Sequence, residues 1–563
     1  MAAPALVSRL NDCRSCYKCI RACPTKSISF SDGHAQIVQG ECVYCGRCYI
    51  ACPQDCKIVR DDLLAAKRLV MEGEVYVSLA PSFQAAFPCT SFEVLEKGLL
   101  DLGFKGVEET AVGATIVKKE YERLVKEAKE DIIISTCCHS LNLLVEKHFP
   151  AAKKYLAPVL SPMLAHGLDL KKRHPGAKVV FVGPCIAKKD EIDRYPGYVD
   201  CVLTFKEIKR WLGEKGIDLS IDGGVKKLDA SRARLFPIEG GILKTMDKSE
   251  DDGYSYLAIS GMERCIAALE DIIDGRVKKK VFIEMSACPG SCIAGPLVAK
   301  TERALISDYL AIEESAGKDD FDVEEIPLSE LGKRFATLEV RQAEPSEEEI
   351  RSVLKKIGKN SPKDELNCSS CGYPTCRAKA IAVIRGKANL EMCLPYLMNK
   401  AESFSNTIVE QSENAIVVLS PSLSIVLANP RMASLLGAKD GKELIGKDVS
   451  SFLDAVPFAE ALGGKDTYRK KVYLAEYGRY MEMSVTFDSQ YQILIGVYRD
   501  VTESEQKRKK EAEIAEKAAS ITTSVIEKNM RAVQEIASLL GESTAATKVA
   551  LSELKDALKG EGK

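Results

Sequence analysis

The sequence predicts a multidomain chain of α+β and α/β units, and three observations carry that reading. Its 563 residues suit roughly three to five domains. Its 21 cysteines are gathered into separated clusters rather than scattered. Between residues 61 and 335, β-branched runs alternate with amphipathic stretches, the pattern of a largely parallel sheet covered by helices. The strand candidates are Val75–Leu79, Ile132–Ile134, Val179–Val182 and Val281–Ile283; the clearest helix candidates are Phe92–Leu102 and Ile116–Lys129.

Bulk composition narrows the function classes. Hydrophobic residues make up 46% and charged residues 28% of the chain, which supports ordinary packed cores. A net charge of −2 argues against a nucleic-acid footprint and against a polybasic membrane anchor. The first residues lack a basic segment followed by an apolar one, so no signal peptide is expected. No uncharged apolar run approaches the ~20 residues of a membrane span. The expectation is a soluble, cytoplasmic protein. Only five histidines occur, the last being His174, so no imidazole chemistry is available beyond that point.

Residues 1–60 form a cysteine-rich unit. Cys13-x2-Cys16-x2-Cys19-x3-Cys23-Pro24 is followed by Cys42-x2-Cys45-x2-Cys48-x3-Cys52-Pro53. This is the bacterial two-cluster ferredoxin pattern, in which the fourth cysteine of each run serves the other cluster. Cys13, Cys16, Cys19 and Cys52 are expected to hold one [4Fe–4S] cluster, and Cys42, Cys45, Cys48 and Cys23 the other. Cys56 reads as a packed thiol. Such a pair of clusters implies electron transfer to or from a deeper centre.

In the central region, four loops follow strand candidates, where sites form in open α/β sheets. They are Ala80-Pro81-Ser82, Ser135-Thr136-Cys137-Cys138, Gly183-Pro184-Cys185 with Lys188 and Glu191 after it, and Glu284 to Cys288-x3-Cys292. Together they supply five thiols. Four can ligate a cubane, and one of the adjacent pair Cys137 and Cys138 is left for other work. Lys188 adds a cation able to bind an anionic ligand, with Glu191 as its partner. Cys89, Cys201 and Cys265 are isolated and read as packing residues.

These loops resemble the three signature motifs of the [FeFe]-hydrogenase catalytic domain, T-S-C-C-P-x-W, M-P-C-x-x-K-x-x-E and E-x-M-x-C-x-x-x-C. The resemblance implies that Cys138, Cys185, Cys288 and Cys292 hold the [4Fe–4S] cube of an H-cluster. It implies that Cys292 bridges to a diiron subsite carrying CO, CN⁻ and an azadithiolate. Lys188, Pro81 and Ser82 would bind the cyanides, Cys137 would be the proton donor, and maturation proteins would be needed. The chain departs from the motifs at His139 (for proline), Leu141 (for tryptophan), and Gly183 and Ser286 (for methionines). Along the family's proton path, Cys137 and Glu122 match, whereas Lys119 replaces a glutamate and Ala157 a serine. An ammonium with an unperturbed pKa of ~10.4 is a poor relay at neutral pH, and a methyl group relays nothing. The expectation is an H-cluster with slow turnover.

Residues 345–398 contain Cys368-x2-Cys371-x4-Cys376-x16-Cys393, with a helix expected over Ala378–Leu390. The spacing resembles the small [4Fe–4S] domain of corrinoid iron–sulfur proteins and some sensory hydrogenases. Zinc is the competing metal for four thiolates. The position of this group suits electron transfer from the H-cluster domain to the C-terminal half.

Residues 399–503 alternate in the manner of a small antiparallel-sheet domain. A hairpin over Asn414–Leu419 and Ser424–Ala428, Asn429-Pro430 opening a helix, an inward face of Met481, Met483, Val485 and Phe487, and the terminal Asp500-Val501-Thr502-Glu503 resemble a PAS domain. With no histidine after 174 and no cysteine after 393, a histidine-ligated haem and a flavin–cysteine adduct are excluded there. Residues 504–563 read as a signalling helix with an apolar seam, broken at Gly541-Glu542-Ser543. The seam suits a homodimeric coiled coil or packing onto its own domain. Lacking histidine, this helix cannot be a phosphoacceptor, so output would pass to a partner such as a kinase or phosphatase. The whole reads as a sensory [FeFe]-hydrogenase acting on H2 and protons. A metabolic, ferredoxin-dependent hydrogenase and a non-enzymatic Fe–S sensor or assembly scaffold are the alternatives.

Overall fold

A computed structural model describes residues 3–87, 91–219, 231–249, 252–298, 305–338, 340 and 344–559. The chain divides into two compact units, residues 1–397 and 398–563. Cys89 lies outside the described residues.

The first unit begins with strands β1 (Leu6–Ser8), β2 (Ile28–Ser31), β3 (His34–Ile37) and β4 (Lys57–Val59). β1 pairs with β4 and β2 with β3, both antiparallel. The two cysteine runs are carried between these strands. Their tight loops are made by left-handed residues at equivalent places, Ser15 and Tyr17 in the first run and Tyr44 and Gly46 in the second.

The central domain carries β5 (Val75–Leu79), β6 (Gly106–Glu109), β7 (Ile132–Ile134), β8 (Lys178–Gly183), β9 (Cys201–Thr204), β10 (Ser255–Ser260) and β11 (Val281–Ser286). All four strands anticipated from the sequence are present, but they are not in one sheet. They belong to two parallel sheets, ordered β6-β5-β8-β9 and β10-β11-β7. β7 and β11 are buried along their whole length, as parallel strands covered on both faces must be. The sequence reading missed β6, β9 and β10, which are short or carry polar residues. The expected helix from Ile116 starts earlier, spanning Ala111–Glu127. Its buried face includes Ala114, Val117, Lys118, Tyr121 and Val125, at the 3–4 residue spacing of one helical stripe. Gly113 lets it cross the helix Pro162–Arg173 closely: a Cβ there would lie 2.2 Å from the Pro162 carbonyl oxygen.

The third cysteine group sits on helices Glu347–Lys356 and Cys376–Ile384, which share a small core. The second of these ends well short of the anticipated Leu390. Gly386, at φ 69°, turns the chain instead.

The second unit contains β12 (Ala415–Leu419), β13 (Ile425–Ala428), β14 (Thr467–Leu474), β15 (Arg479–Asp488) and β16 (Ile493–Asp500) in one antiparallel sheet ordered β13-β12-β16-β15-β14. Met481, Met483 and Val485 face its core as anticipated. The expected break at Gly541 is absent, and a single helix spans Thr502–Lys559. An interior glycine costs a helix only about 1 kcal/mol relative to alanine, too little to stop one this long. Among the described residues no helix is long and apolar enough to cross a membrane.

Candidate functional site

The carboxyl ends of β5 and β8 in one sheet, and of β7 and β11 in the other, open on one cavity with an empty volume of about 920 Å³. Cys137, Cys138, Cys185, Cys288 and Cys292 all line it, together with Pro81, Ser82 and Lys188. The four loops singled out in the sequence therefore converge. The Cys288–Cys292 loop wraps tightly because Gly290 and Ser291 are both left-handed, at φ 77° and 66°. The Ser82 hydroxyl is buried without a partner, a donor available to a group in the cavity. Phe181, Met163, Phe236 and Pro162 supply apolar walls. Gly183 is explained by its neighbour: a Cβ would fall 2.6 Å from the Phe181 ring, so that ring fills the space a larger side chain would need.

Lys188 donates to the Cys137 carbonyl at 3.2 Å and pairs with Glu191 at 2.5 Å. Burial opposes the lysine's charge, but the Glu191 carboxylate more than offsets it and raises its pKa. Glu191 is itself fully buried, and its other oxygen meets Lys333 at 2.7 Å. Burial would push this carboxyl up, yet the Lys188 and Lys333 ammoniums hold it well below the usual carboxylate range. His139 packs beside this network, with Nε2 2.8 Å from Asp190 and Nδ1 3.8 Å from Glu191. Burial lowers its pKa. Lys333 was not anticipated. It comes from a strap that pairs with Pro158 and Leu160, far in sequence from every motif.

Lys119 and Glu122, both anticipated for a proton path, lie on the helix Ala111–Glu127. Lys119 is exposed to solvent, while Lys118 points inward and pairs with Glu122 at 3.4 Å and with Asp320. Glu122 accepts the Asp247 backbone N–H at 2.7 Å. Among the described residues, the Tyr121 hydroxyl is in hydrogen-bond reach of Cys137 Sγ, at 3.3 Å. That hydroxyl also accepts the Thr136 N–H at 2.9 Å and lies 3.4 Å from Thr136 Oγ1. Thr136 Oγ1 in turn donates to the backbone carbonyls of Ala157 and Val159. Burial pushes the Cys137 thiol up to about 12, against the lowering pull of Tyr121 and Lys188. The inward helical stripe that carries Ala114 and Val117 was the signal that could have placed Tyr121.

The fourth cysteine of each ferredoxin-type run lies with the other run. Cys23 lines a pocket of about 310 Å³ with Cys42, Cys45 and Cys48, and Cys19 neighbours Cys13, Cys16 and Cys52. The backbone N–H of Ser27 donates to Cys23 Sγ and that of Cys56 to Cys52 Sγ, both at 3.3 Å. Cys45 lines the central cavity as well as its own pocket. Gly46 permits that approach, since a Cβ there would lie 2.4 Å from Pro296 Cβ. Cys56, Cys201 and Cys265 are buried packing thiols.

Cys368, Cys371, Cys376 and Cys393 line a further pocket of about 320 Å³. This group packs on the dicluster domain. Arg21 donates to the Ser369 and Ser370 carbonyls, and Lys26 to that of Gly372 at 3.2 Å. Burial raises the Tyr17 pKa, and the nearby Cys371 and Cys13 add to the effect.

Three families match in the same order along the chain: a 4Fe-4S dicluster domain at residues 5–53, the iron only hydrogenase large subunit, C-terminal domain, at 73–296, and a putative Fe-S cluster at 364–395. The chain is 26% identical to the NADP-reducing hydrogenase subunit HndD of Solidesulfovibrio fructosivorans, over 45% of this chain and 55% of that protein. It is 29% identical to the cytosolic Fe-S cluster assembly factor NAR1 of Yarrowia lipolytica, over 41% of this chain and 47% of that protein. It thus spans about half the length of these curated relatives. The solved apo [FeFe]-hydrogenase HydA1 from Chlamydomonas reinhardtii aligns with 50% of this chain and 100% of that one, at 18% identity and a TM-score of 0.39. With the family matches on its converging cysteine loops, the chain is an [FeFe]-hydrogenase-like iron–sulfur protein that joins a 4Fe–4S dicluster domain to an iron-only hydrogenase large-subunit domain.

Proposed function

We propose that the protein is a sensory [FeFe]-hydrogenase that splits H2 reversibly and passes its redox state to a partner through a PAS domain. The observation that carries this reading is the central cavity. Its 920 Å³ is nearly three times the 310 and 320 Å³ of the two cysteine-lined cubane-sized pockets. A cubane held by Cys138, Cys185, Cys288 and Cys292 leaves space for a second group. That space is bordered by Cys137, Lys188 and the unpartnered Ser82 hydroxyl, the donors an anionic diiron unit requires.

When bound, the H-cluster supplies the iron centre that takes up the two electrons of H2. The chain's own residues do the rest. Lys188 and Ser82 would hold anionic ligands by hydrogen bonds, with Lys188 held in place by Glu191. Cys137 holds and moves the proton at Sγ, steadied by Tyr121. Met163, Phe181 and Phe236 keep water out, which strengthens those polar contacts. Cys45 offers the exit for electrons into the ferredoxin-type clusters, and a ferredoxin or similar carrier exchanges with them.

The sheet order of the C-terminal unit supports the PAS assignment. Along the helix Thr502–Lys559, exposed Ile514, Ile521, Val525, Met530, Val533 and Leu540 support a parallel homodimeric coiled coil acting on a kinase or phosphatase. The likeness to an assembly factor favours a second reading, a scaffold that holds cubanes alone. Infrared spectroscopy of anaerobically matured protein, titrated with H2, separates the readings. CO and CN⁻ bands that respond to H2 are expected. Their absence, with iron accounted for by cubanes, would leave the scaffold. Rapid H2 evolution from reduced ferredoxin would favour a metabolic enzyme.

A further inference from the structure

The Cys368–Cys393 pocket contains a feature that the ferredoxin-type pocket around Cys23 lacks. Lys379, three residues after Cys376 on the same helix, is 1% exposed and lines the pocket with all four cysteines. Its ammonium donates to the Asn389 carbonyl and acts on Cys371 and Cys393. The pocket shared by Cys23, Cys42, Cys45 and Cys48 is lined by apolar and hydroxyl side chains only. Lys26, Arg47, Lys57 and Lys147 act on cysteines of the dicluster domain from outside that pocket. Lys57 binds Ser8 Oγ and the Ala35 carbonyl, and Lys147 binds the Gln39 and Cys42 carbonyls. Cys368 is also exposed to solvent, as no cysteine of the Cys23 pocket is, although Cys16 of the other ferredoxin-type group shares that exposure. Net charge and solvent exposure both set the potential of an iron–sulfur cluster. A cation against the thiolates and access to water each favour the reduced, more negative form.

Contacts through the dicluster domain link this site to the central cavity. Cys45 borders the central cavity. Gly372 lies against the helix that carries Cys19, where a Cβ would come within 3.0 Å of Ile20. The helix Leu394–Gln411 begins at the residue after Cys393.

Resting on the [4Fe–4S] reading of this site, we propose that the Cys368–Cys393 cluster is the high-potential electron collector of the chain and that Lys379 is the positioning residue that sets its potential. Each H2 oxidised yields two protons and two electrons. One electron reduces this cluster from [4Fe–4S]2+ to [4Fe–4S]+, and the second reduces a ferredoxin-type cluster. The reduced charge then accumulates at the root of the helix that enters the C-terminal unit.

The test is a potentiometric titration of the full, cluster-loaded protein followed by electron paramagnetic resonance. A Cys376→Ser variant identifies the signal belonging to this site. In the wild type that signal should develop first as the potential is lowered. In Lys379→Met its midpoint should fall by at least 59 mV, a tenfold change in a one-electron equilibrium. Lys379→Arg should restore most of the shift, and the other midpoints should not move. A wild-type signal at or below the ferredoxin-type midpoints would overturn the proposal even if Lys379→Met failed to load its cluster. A Lys379→Met midpoint equal to wild type would overturn the role of Lys379. Zinc in place of iron at this site would overturn the underlying cluster assignment, and the collector with it.

Discussion

Tyr121→Phe removes one buried oxygen and nothing else. The ring, packed edge-on to Phe282 at 5.4 Å, keeps its place, so the variant isolates the hydroxyl. Two effects follow. The Thr136 N–H loses its acceptor in a fully buried position, which costs about 1–3 kcal/mol. For a domain of this size that lowers the melting temperature by roughly 2–4 °C per kcal/mol. The second effect concerns Cys137. If its Sγ carries negative charge after releasing a proton, Tyr121 is the hydroxyl that stabilises it, at 3.3 Å. A hydrogen bond to a charged group contributes about 1.5–3 kcal/mol, or roughly 10- to 100-fold in rate. Isotope exchange between D2 and water, followed by mass spectrometry on matured protein, should therefore slow by that factor. A variant with wild-type iron content and an unchanged exchange rate would refute the argument. The same geometry predicts that Ala157→Ser combined with Lys119→Glu leaves exchange unchanged. Lys119 faces solvent and Tyr121 still holds the position beside Cys137.

Three further outcomes are expected. Glu191→Gln would leave the Lys188 and Lys333 ammoniums buried without their shared carboxylate; the loss should be about 3–5 kcal/mol, and an unchanged denaturation midpoint would count against the network. Gly46→Ala would drive a methyl group to 2.4 Å from Pro296 Cβ at a φ of +76°, costing about 1–3 kcal/mol by overpacking and slowing electron transfer from the central site to the dicluster domain in flash-reduction kinetics. Equal rates would show that the two domains separate without penalty. Glu284 accepts backbone N–H groups from Gly240 and Leu243, but burial still raises its pKa from 4.5 to about 7. The native state then keeps a proton that the unfolded chain releases, so its stability falls as pH rises from 4.5 to about 7, by roughly 3 kcal/mol. Glu284→Gln should flatten that slope relative to wild type; parallel stability curves across this window would refute the shift.

The features legible in the sequence were those written in residue type and spacing. The cysteine runs specify their own loops, and Cys23 joins Cys42, Cys45 and Cys48 as the pattern requires. The apolar runs at Ile132 and Val281 had to be buried strands. What was not legible depends on packing between distant segments. Nothing local separates Ile132–Ile134 from Val75–Leu79 into different sheets. Lys333 reaches Glu191 only because its strap hydrogen-bonds to Pro158. Lys118 and Lys119 are adjacent and chemically identical, and only the rotation of their helix sends one inward and the other to solvent. Gly541 is a stop signal by type, yet a long helix absorbs its small cost.

This division has a physical consequence for the proposed sensor. Electron routes depend on where clusters lie, and cluster positions are fixed by clustered thiols; these lead from the cavity through Cys45 to Gly372 and Cys393. Proton routes depend on hydrogen-bonded groups that can both give and receive. From Cys137 the contacts run to Tyr121, then to Thr136, whose hydroxyl donates to the backbone carbonyls of Ala157 and Val159. A carbonyl accepts a hydrogen bond but cannot pass a proton onward near neutral pH. Among the described residues this chain of contacts ends at two acceptors, so protons should leave the proposed site more slowly than electrons, and turnover should be slow. That is the behaviour a reporter of H2 needs and a metabolic catalyst avoids.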